Sequence, residues 1–242
     1  MTEHITRRAL LGASAPLALI ALAACTATKD TQGTGSPTQS PAATTGYPGL
    51  EHSGLRNDSG YHLNSTVEKA PTITLYTDYQ CPYCAKAEPN FEEAARQLEG
   101  TLNLTVRHLP LLKIHPHAGT SALAVQAAEN QGKHLEMARQ IFATQNDWKG
   151  LPDVASAEAK FAQYAQTLGL DMDRYHKDAR SDESAQLITS DMNHAIEIGV
   201  KGTPSFVLTK DGTETVLSGE QVSSQTGADD MVALFKKVAG IA

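Results

Sequence analysis

The stretch Thr72-Ile73-Thr74-Leu75-Tyr76-Thr77-Asp78-Tyr79-Gln80-Cys81-Pro82-Tyr83-Cys84 joins a β-branched hexapeptide to two cysteines spaced two residues apart. The hexapeptide, bounded by Pro71 and Asp78, reads as a central strand. Beyond it Cys84, Ala87, Phe91, Ala94, Ala95 and Leu98 recur at helical spacing, define one apolar face and stop at Gly100. Cys81 therefore stands where a helix begins. Leu102 to Arg107 alternates apolar and polar side chains and reads as a second strand, so the strand–helix–strand unit implies a parallel pair.

Working toward the C-terminus, residues 118–199 read as an all-helical insert. Its segments run from Ala118 to Gln131, Lys133 to Gln145, Ala155 to Leu168 and Asp182 to Ile198, punctuated by Gly132, Gly150, Gly169 and Gly199. Ser205–Thr209 and Thr213–Ser218 flank Lys210-Asp211-Gly212, a hairpin signal that makes these two strands antiparallel. A last amphipathic helix spans Ala228 to Val238, with Met231, Val232, Leu234, Phe235 and Val238 as its buried stripe.

Working toward the N-terminus, Met1 to Arg8 is polar and ends in Arg7-Arg8, and Ala9 to Ala24 is an apolar run containing Pro16. At about 16 residues that run falls short of the roughly 20 that cross a bilayer, so it reads as an export signal. Its end, Leu22-Ala23-Ala24-Cys25, looks like the lipobox of bacterial lipoproteins, which implies cleavage before Cys25 and acylation of that cysteine. Arg7-Arg8 also resembles a twin-arginine signal, and the export route stays open. Thr26 to Gly49 is almost wholly Thr, Ser, Pro, Gly, Ala and Gln, too poor in apolar side chains to offset chain entropy, and reads as a disordered tether. A coil of that length reaches roughly 27 Å. The expected organisation is a signal peptide at 1–24, a lipidated cysteine and tether at 25–49, and one domain at 50–242.

Losing Arg7, Arg8 and Glu3 with the signal takes the 20 basic and 27 acidic residues to 18 and 26, a net charge of −8. An acidic chain without a Lys/Arg cluster lacks the surface that phosphate backbones need, so nucleic acid is excluded as a partner. Three cysteines, one of them remote, cannot form a structural disulfide framework; the close pair reads as redox or metal chemistry.

Disulfide exchange needs one thiolate to attack and a second thiol to resolve the mixed disulfide. At a helix N-terminus the unpaired N–H groups and the positive end of the dipole stabilise an anion. In such motifs the thiol pKa, near 8.5 when free, falls to between about 3.5 and 7.5. Cys81 is thus the expected nucleophile and Cys84, one turn inside on the apolar face, the buried and protonated resolving thiol. Pro82 suits the first turn because its missing N–H has no intrahelical partner there. The competing reading is half of a zinc site completed by His115 and His117. The reading preferred for those histidines is a cap or surface role at the Pro116 junction, with no metal. Trp148, Tyr164 and Tyr175 read as core or rim residues of the insert.

Thr-Asp-Tyr-Gln-Cys-Pro-Tyr-Cys resembles the active-site stretch of the DsbA-like thioredoxin family. Pro89, five residues past Cys84, matches the proline inside the family's active-site helix, and Ile114-His-Pro-His-Ala118 followed by Ala127 to Lys133 looks like its approach to a helical insert. Gly199-Val-Lys-Gly-Thr-Pro-Ser205 is similar to its cis-proline loop. The resemblance covers about Thr72 to Ala239 and implies an α/β thioredoxin fold: a mixed parallel and antiparallel sheet with an all-helical insert at about 115–200. It also implies a cis Thr203–Pro204 bond beside the cysteines, with Pro82, Tyr83, Thr203 and Pro204 supporting the site and binding substrate. The activity implied is thiol–disulfide exchange on exported proteins, oxidation favoured, through a Cys81–Cys84 disulfide and no other cofactor. Reduction or isomerisation is the alternative within the class, and a peptide-binding or chaperone-like lipoprotein the alternative outside it. Expected partners are reduced or unfolded exported proteins, a membrane thiol-redox partner that recycles the site, and the bilayer through acylated Cys25. The chain is expected to be a monomer on the extracytoplasmic face of the membrane.

Overall fold

A computed structural model describes residues 56–218 and 227–242, so the signal, Cys25 and the tether lie outside the described residues. The strands are β1 (Arg56–Asn57), β2 (Gly60–His62), β3 (Thr72–Thr77), β4 (Asn103–His108), β5 (Ser205–Lys210) and β6 (Thr213–Val216). The helices are α1 (Pro82–Gln97), α2 (Ala118–Glu129), α3 (His134–Ala143), α4 (Gln145–Trp148), α5 (Val154–Thr167), α6 (Met172–Asp178), α7 (Asp182–Glu197) and α8 (Ala228–Ala239).

The strands form one mixed sheet in the order β1-β2-β4-β3-β5-β6. As expected, β3 is central: it pairs in parallel with β4, Thr72 opposite Asn103, and antiparallel with β5, Thr72 opposite Thr209. Period-2 alternation divides the sheet between two layers. Ile73, Leu75, Leu104, Val106, Phe206 and Leu208 pack with the buried faces of α1 and α8, where the Phe91, Phe206 and Phe235 rings meet at 5.5–5.9 Å between centroids. Such ring contacts contribute about 0.5–1.5 kcal/mol each beyond their buried area. Tyr76 and Val207 face the other way, against Ala195 of α7 and Val200.

The hairpin between β5 and β6 follows its Asp-Gly signal. Asp211 and Gly212 take φ values of 50° and 75°, the paired left-handed conformations of a turn whose twist matches the strands, and Lys210 pairs with Thr213.

The sequence gives no strand before Thr72, yet β1 and β2 extend the sheet along the free side of β4, Tyr61 opposite Val106. Two- and three-residue strands are too short to show a period, and only their partner defines them. Gly60 permits the approach. Its φ is +117°, and a Cβ there would sit 2.6 Å from the Val106 carbonyl oxygen, so no side chain fits.

Residues 118–197 are all helical in their regular elements, with α4 and α6 additional to the four expected segments. Capping explains several starts: Asp153, Asp171 and Ser181 accept hydrogen bonds from the backbone N–H groups of Ser156, Arg174 and Ser184. The insert has its own core, in which Trp148, Tyr164 and Tyr175 are buried, as their core-or-rim reading requires, together with Phe161. Tyr79, from the loop before Cys81, belongs to this core too. One expectation is corrected on α1: its buried face is not purely apolar, because Glu88 and Glu92 are buried with it and Glu92 is paired to Arg139 from α3. That acidic pair faces the insert, which the local pattern does not reveal. Among the described residues no helix is long and apolar enough to cross a membrane.

Candidate active site

Strand β3 ends at Thr77, the chain turns through Asp78–Gln80, and Cys81 takes the N-cap position of α1 with extended backbone, φ −72° and ψ 123°. Pro82 follows at the first helical position, and no acidic side chain occupies the first turn to offset the positive end of the helix dipole. Cys84 lies one turn further along, fully buried, with its sulfur unbonded beside Cys81.

More than a hundred residues away in sequence, the Thr203–Pro204 peptide bond is cis and lies against the pair, as the resemblance implies. The Cys81 thiol donates to the Thr203 carbonyl oxygen over 3.5 Å. The buried Thr203 hydroxyl makes no hydrogen bond of normal geometry with a described residue and faces the sulfurs.

These surroundings treat the two sulfurs oppositely. A hydrogen bond from the Cys84 thiol, helped by the backbone N–H groups of Cys84 and Tyr83 and by Thr203, outweighs burial and pushes the Cys81 thiol down to about 6. Burial, then the neighbouring Cys81, pushes the Cys84 thiol well up. The arrangement therefore offers one anion and one held proton, the asymmetry that attack followed by resolution requires.

The loop carrying Cys81 is tied down from both sides. Asp78, its side chain fully buried, accepts from the Gln80 N–H at 2.7 Å and from the Leu111 N–H at 2.9 Å, and its own N–H points at the Cys84 sulfur over 3.5 Å. From the insert, Gln145 donates to the carbonyls of Tyr79 and Cys81 at 2.7 and 3.1 Å. Gln80 bridges the His117 N–H and the Lys149 carbonyl. The Tyr79 hydroxyl meets Nδ1 of His108 at 3.3 Å.

Two histidine readings change. His117 is buried rather than on the surface; it holds the N-cap position of α2 without a capping side-chain bond, and its Nε2 donates to the Leu151 carbonyl at 2.9 Å. Nδ1 of His115 is 2.7 Å from an Asp78 carboxylate oxygen. Each commits a ring nitrogen to a protein oxygen, and among the described residues no group of three or more His, Cys, Asp or Glu is placed to hold a metal ion.

Of the residues singled out from sequence, Cys81, Pro82, Tyr83, Cys84, Thr203 and Pro204 come together, while Cys25 lies outside the described residues. Gln145 is not anticipated near the site from sequence, Asp78 and Gln80 belong to the active-site stretch without an assigned role, and His115 enters only as a zinc ligand or as a cap or surface residue. Only Asp78 left a local trace, as an aspartate able to cap the turn two residues on. Three large apolar side chains are exposed on the elements that carry the site: Tyr83, between the cysteines, is 68% exposed, and Leu112 and Ile114, on the 109–117 loop that Asp78 anchors, are 57% and 68% exposed.

Comparison with known proteins follows the same lines. The family profile described as Thioredoxin matches residues 67–226. A curated relative, the Na(+)/H(+) antiporter NhaA 3 of Salinispora tropica, is 33% identical over 145 residues; these are 60% of this chain and only 21% of the antiporter, so the chain spans about a fifth of that protein's length. A thioredoxin-like oxidoreductase from Silicibacter pomeroyi superposes with a TM-score of 0.55 at 23% identity, covering 78% of this chain and 92% of that one. DsbA2 of Pseudomonas aeruginosa superposes with a TM-score of 0.53 at 25% identity, covering 71% and 91%. With a profile match across most of the chain and a fold that superposes on these structures, this chain belongs to the thioredoxin family and has a DsbA-like fold.

Proposed function

We propose that this thiol–disulfide oxidoreductase of the DsbA type works as an oxidase of exported proteins. The observation that carries the reading is the pair of opposed thiols, Cys81 pushed down to about 6 and Cys84 pushed up. In the reaction a client thiolate attacks the Cys81 sulfur of the Cys81–Cys84 disulfide. The S–S bond breaks, Cys84 leaves and takes a proton, and a mixed disulfide joins the client to Cys81. The client's second thiolate then attacks its own sulfur in that mixed disulfide and Cys81 leaves as a thiolate. Two electrons pass from the client dithiol to the enzyme pair, and the client gains a disulfide.

Magnitudes favour this direction. Lowering a thiol from about 8.5 to about 6 raises its thiolate fraction at pH 7 about 30-fold, but nucleophilicity falls with basicity at a Brønsted slope of about 0.4–0.5, which removes most of that gain. As a leaving group the same sulfur gains without that offset. The depressed pKa thus favours release from a mixed disulfide, the client-oxidising step. It also stabilises the reduced enzyme at pH 7 by about 1.4 kcal/mol, which raises the reduction potential by about 30 mV, roughly a fifth of the span between the thioredoxin and DsbA potentials. The exposed apolar side chains of Tyr83, Leu112 and Ile114 suit loosely specified, unfolded clients.

Equilibration of the domain with glutathione redox buffers tests the direction. An oxidase is expected to lie nearer the DsbA potential of about −120 mV than the thioredoxin potential of about −270 mV. A potential at or below about −230 mV would point to reduction instead.

The setting belongs to the same proposal. Acylated Cys25 would tether a monomeric domain about 27 Å from the extracytoplasmic membrane surface, where a membrane thiol-redox partner reoxidises it. The N-terminus of the mature chain is expected to be an acylated Cys25 by mass spectrometry. A mature chain that begins elsewhere contradicts the anchor.

A further inference from the structure

Asp78 has a side chain shut off from solvent, and a buried carboxylate depends on the donors around it. One oxygen accepts from the Gln80 N–H at 2.7 Å; the other accepts from the Leu111 N–H at 2.9 Å and lies 2.7 Å from Nδ1 of His115. Because a carboxylate only accepts, Nδ1 of His115 carries the hydrogen. The backbone of Asp78 touches both cysteines: its carbonyl oxygen accepts from the Cys81 N–H at 3.0 Å and its N–H points at the Cys84 sulfur over 3.5 Å. A side chain that meets neither sulfur thus reaches both through one residue.

We infer that His115 is a positioning residue of the redox centre: its Nδ1–H fixes the Asp78 carboxylate, and through it the turn that presents Cys81 and the N–H that Cys84 faces. The inference rests on Cys81 and Cys84 being a redox pair. Two of the three donors to Asp78 are backbone groups of neighbouring segments, present with any side chain, whereas His115 supplies the one donor that a substitution removes. Removing it leaves Asp78 freer to move, and with it the turn that sets Cys81 against the backbone N–H groups of Tyr83 and Cys84, which disfavours the Cys81 thiolate.

The test compares His115→Ala and His115→Asn with the native domain by thiolate absorbance titration and by equilibration with glutathione. In His115→Ala the thiolate fraction of Cys81 at pH 6 is expected to fall at least threefold. The equilibrium with glutathione should shift a comparable amount toward the protein disulfide. His115→Asn, whose amide N–H can reach the same oxygen, should restore most of both. In an Asp78→Asn background His115→Ala should have no further effect, since the route through Asp78 is already broken. A His115→Ala domain with native titration and equilibrium overturns the inference, as does an alanine effect that asparagine does not relieve or that persists in Asp78→Asn. A native domain that never exchanges with glutathione would instead overturn the oxidoreductase reading.

Discussion

Cys81→Ser is expected to abolish oxidation of a reduced client, with a loss of at least 10³-fold, while Cys84→Ser stops turnover at a different point. Without Cys81 the remaining sulfur is fully buried and held protonated, so neither requirement for exchange is met. Without Cys84 the anion at Cys81 persists, and a serine hydroxyl can supply the hydrogen bond that the Cys84 thiol now makes. That variant should react with an external disulfide and accumulate as a mixed disulfide. Rapid-quench alkylation followed by mass spectrometry reads both outcomes. Client oxidation by Cys81→Ser at anything near the native rate would mean that the cysteines are not the redox pair.

The pH dependence follows with its sign. The folded pKa of Cys81 lies below that of an unfolded thiol, so its thiolate stabilises the reduced fold above about pH 8.5, and the contribution is lost as pH falls through about 6. Cys84, pushed up, stays protonated in the fold, so it opposes this gain only near the top of that window, where the same thiol ionises in the unfolded chain. The reduced form should therefore gain stability between about pH 6 and 8.5 relative to the disulfide form, which has no thiol to titrate. Urea titrations of both forms check it, and parallel pH profiles would contradict an anion at Cys81.

What the sequence discloses about this fold divides by range. The cysteine spacing, the strand before it, the Asp211-Gly212 turn and the long helices with their caps are local patterns; β3 has the predicted bounds and α7 ends one residue early. Proximity of Thr203 to Cys81 is not local, and only the family resemblance put those residues together. β1, β2, α4 and α6 are too short for a period to register, although Asp171 is a capping signal that announces α6. The clamps of Gln145, Gln80 and His115 on the active-site loop depend on how the insert is seated, and a glutamine or histidine reads the same in a surface helix as in a buried clamp.

Arg56→Met shows how much rides on a residue with no motif around it. Arg56 lies in β1, outside the profile match, yet its guanidinium reaches Glu129 of α2 at 2.6 Å, Asp191 of α7 at 3.3 Å and Nε2 of His108 at 3.2 Å. His134 of α3 holds the second Glu129 oxygen at 2.8 Å and stacks on Tyr61 at 3.8 Å, so β1, β2, β4 and three insert helices meet here. Burial would push the Glu129 carboxyl up, but His134 and Arg56 bring it down to about 2; at Asp191 burial prevails and the carboxyl is pushed up. Methionine keeps the stem and removes the charge, leaving two buried carboxylates short of a partner. Breaking a buried pair in this way costs about 3–5 kcal/mol, which for a domain of this size lowers the melting temperature by on the order of 10 °C. Arg180→Met, at a largely exposed pair with Glu158, should cost less than about 1 kcal/mol. A second signature follows from linkage. The depressed Glu129 stabilises the native fold above about pH 4.3, and that contribution is lost as pH falls through about 2; in Arg56→Met the acid-labile part should shrink. Thermal unfolding of both variants at neutral and acid pH measures these effects. An Arg56→Met loss no larger than that of Arg180→Met would show that the insert is seated by its apolar core alone.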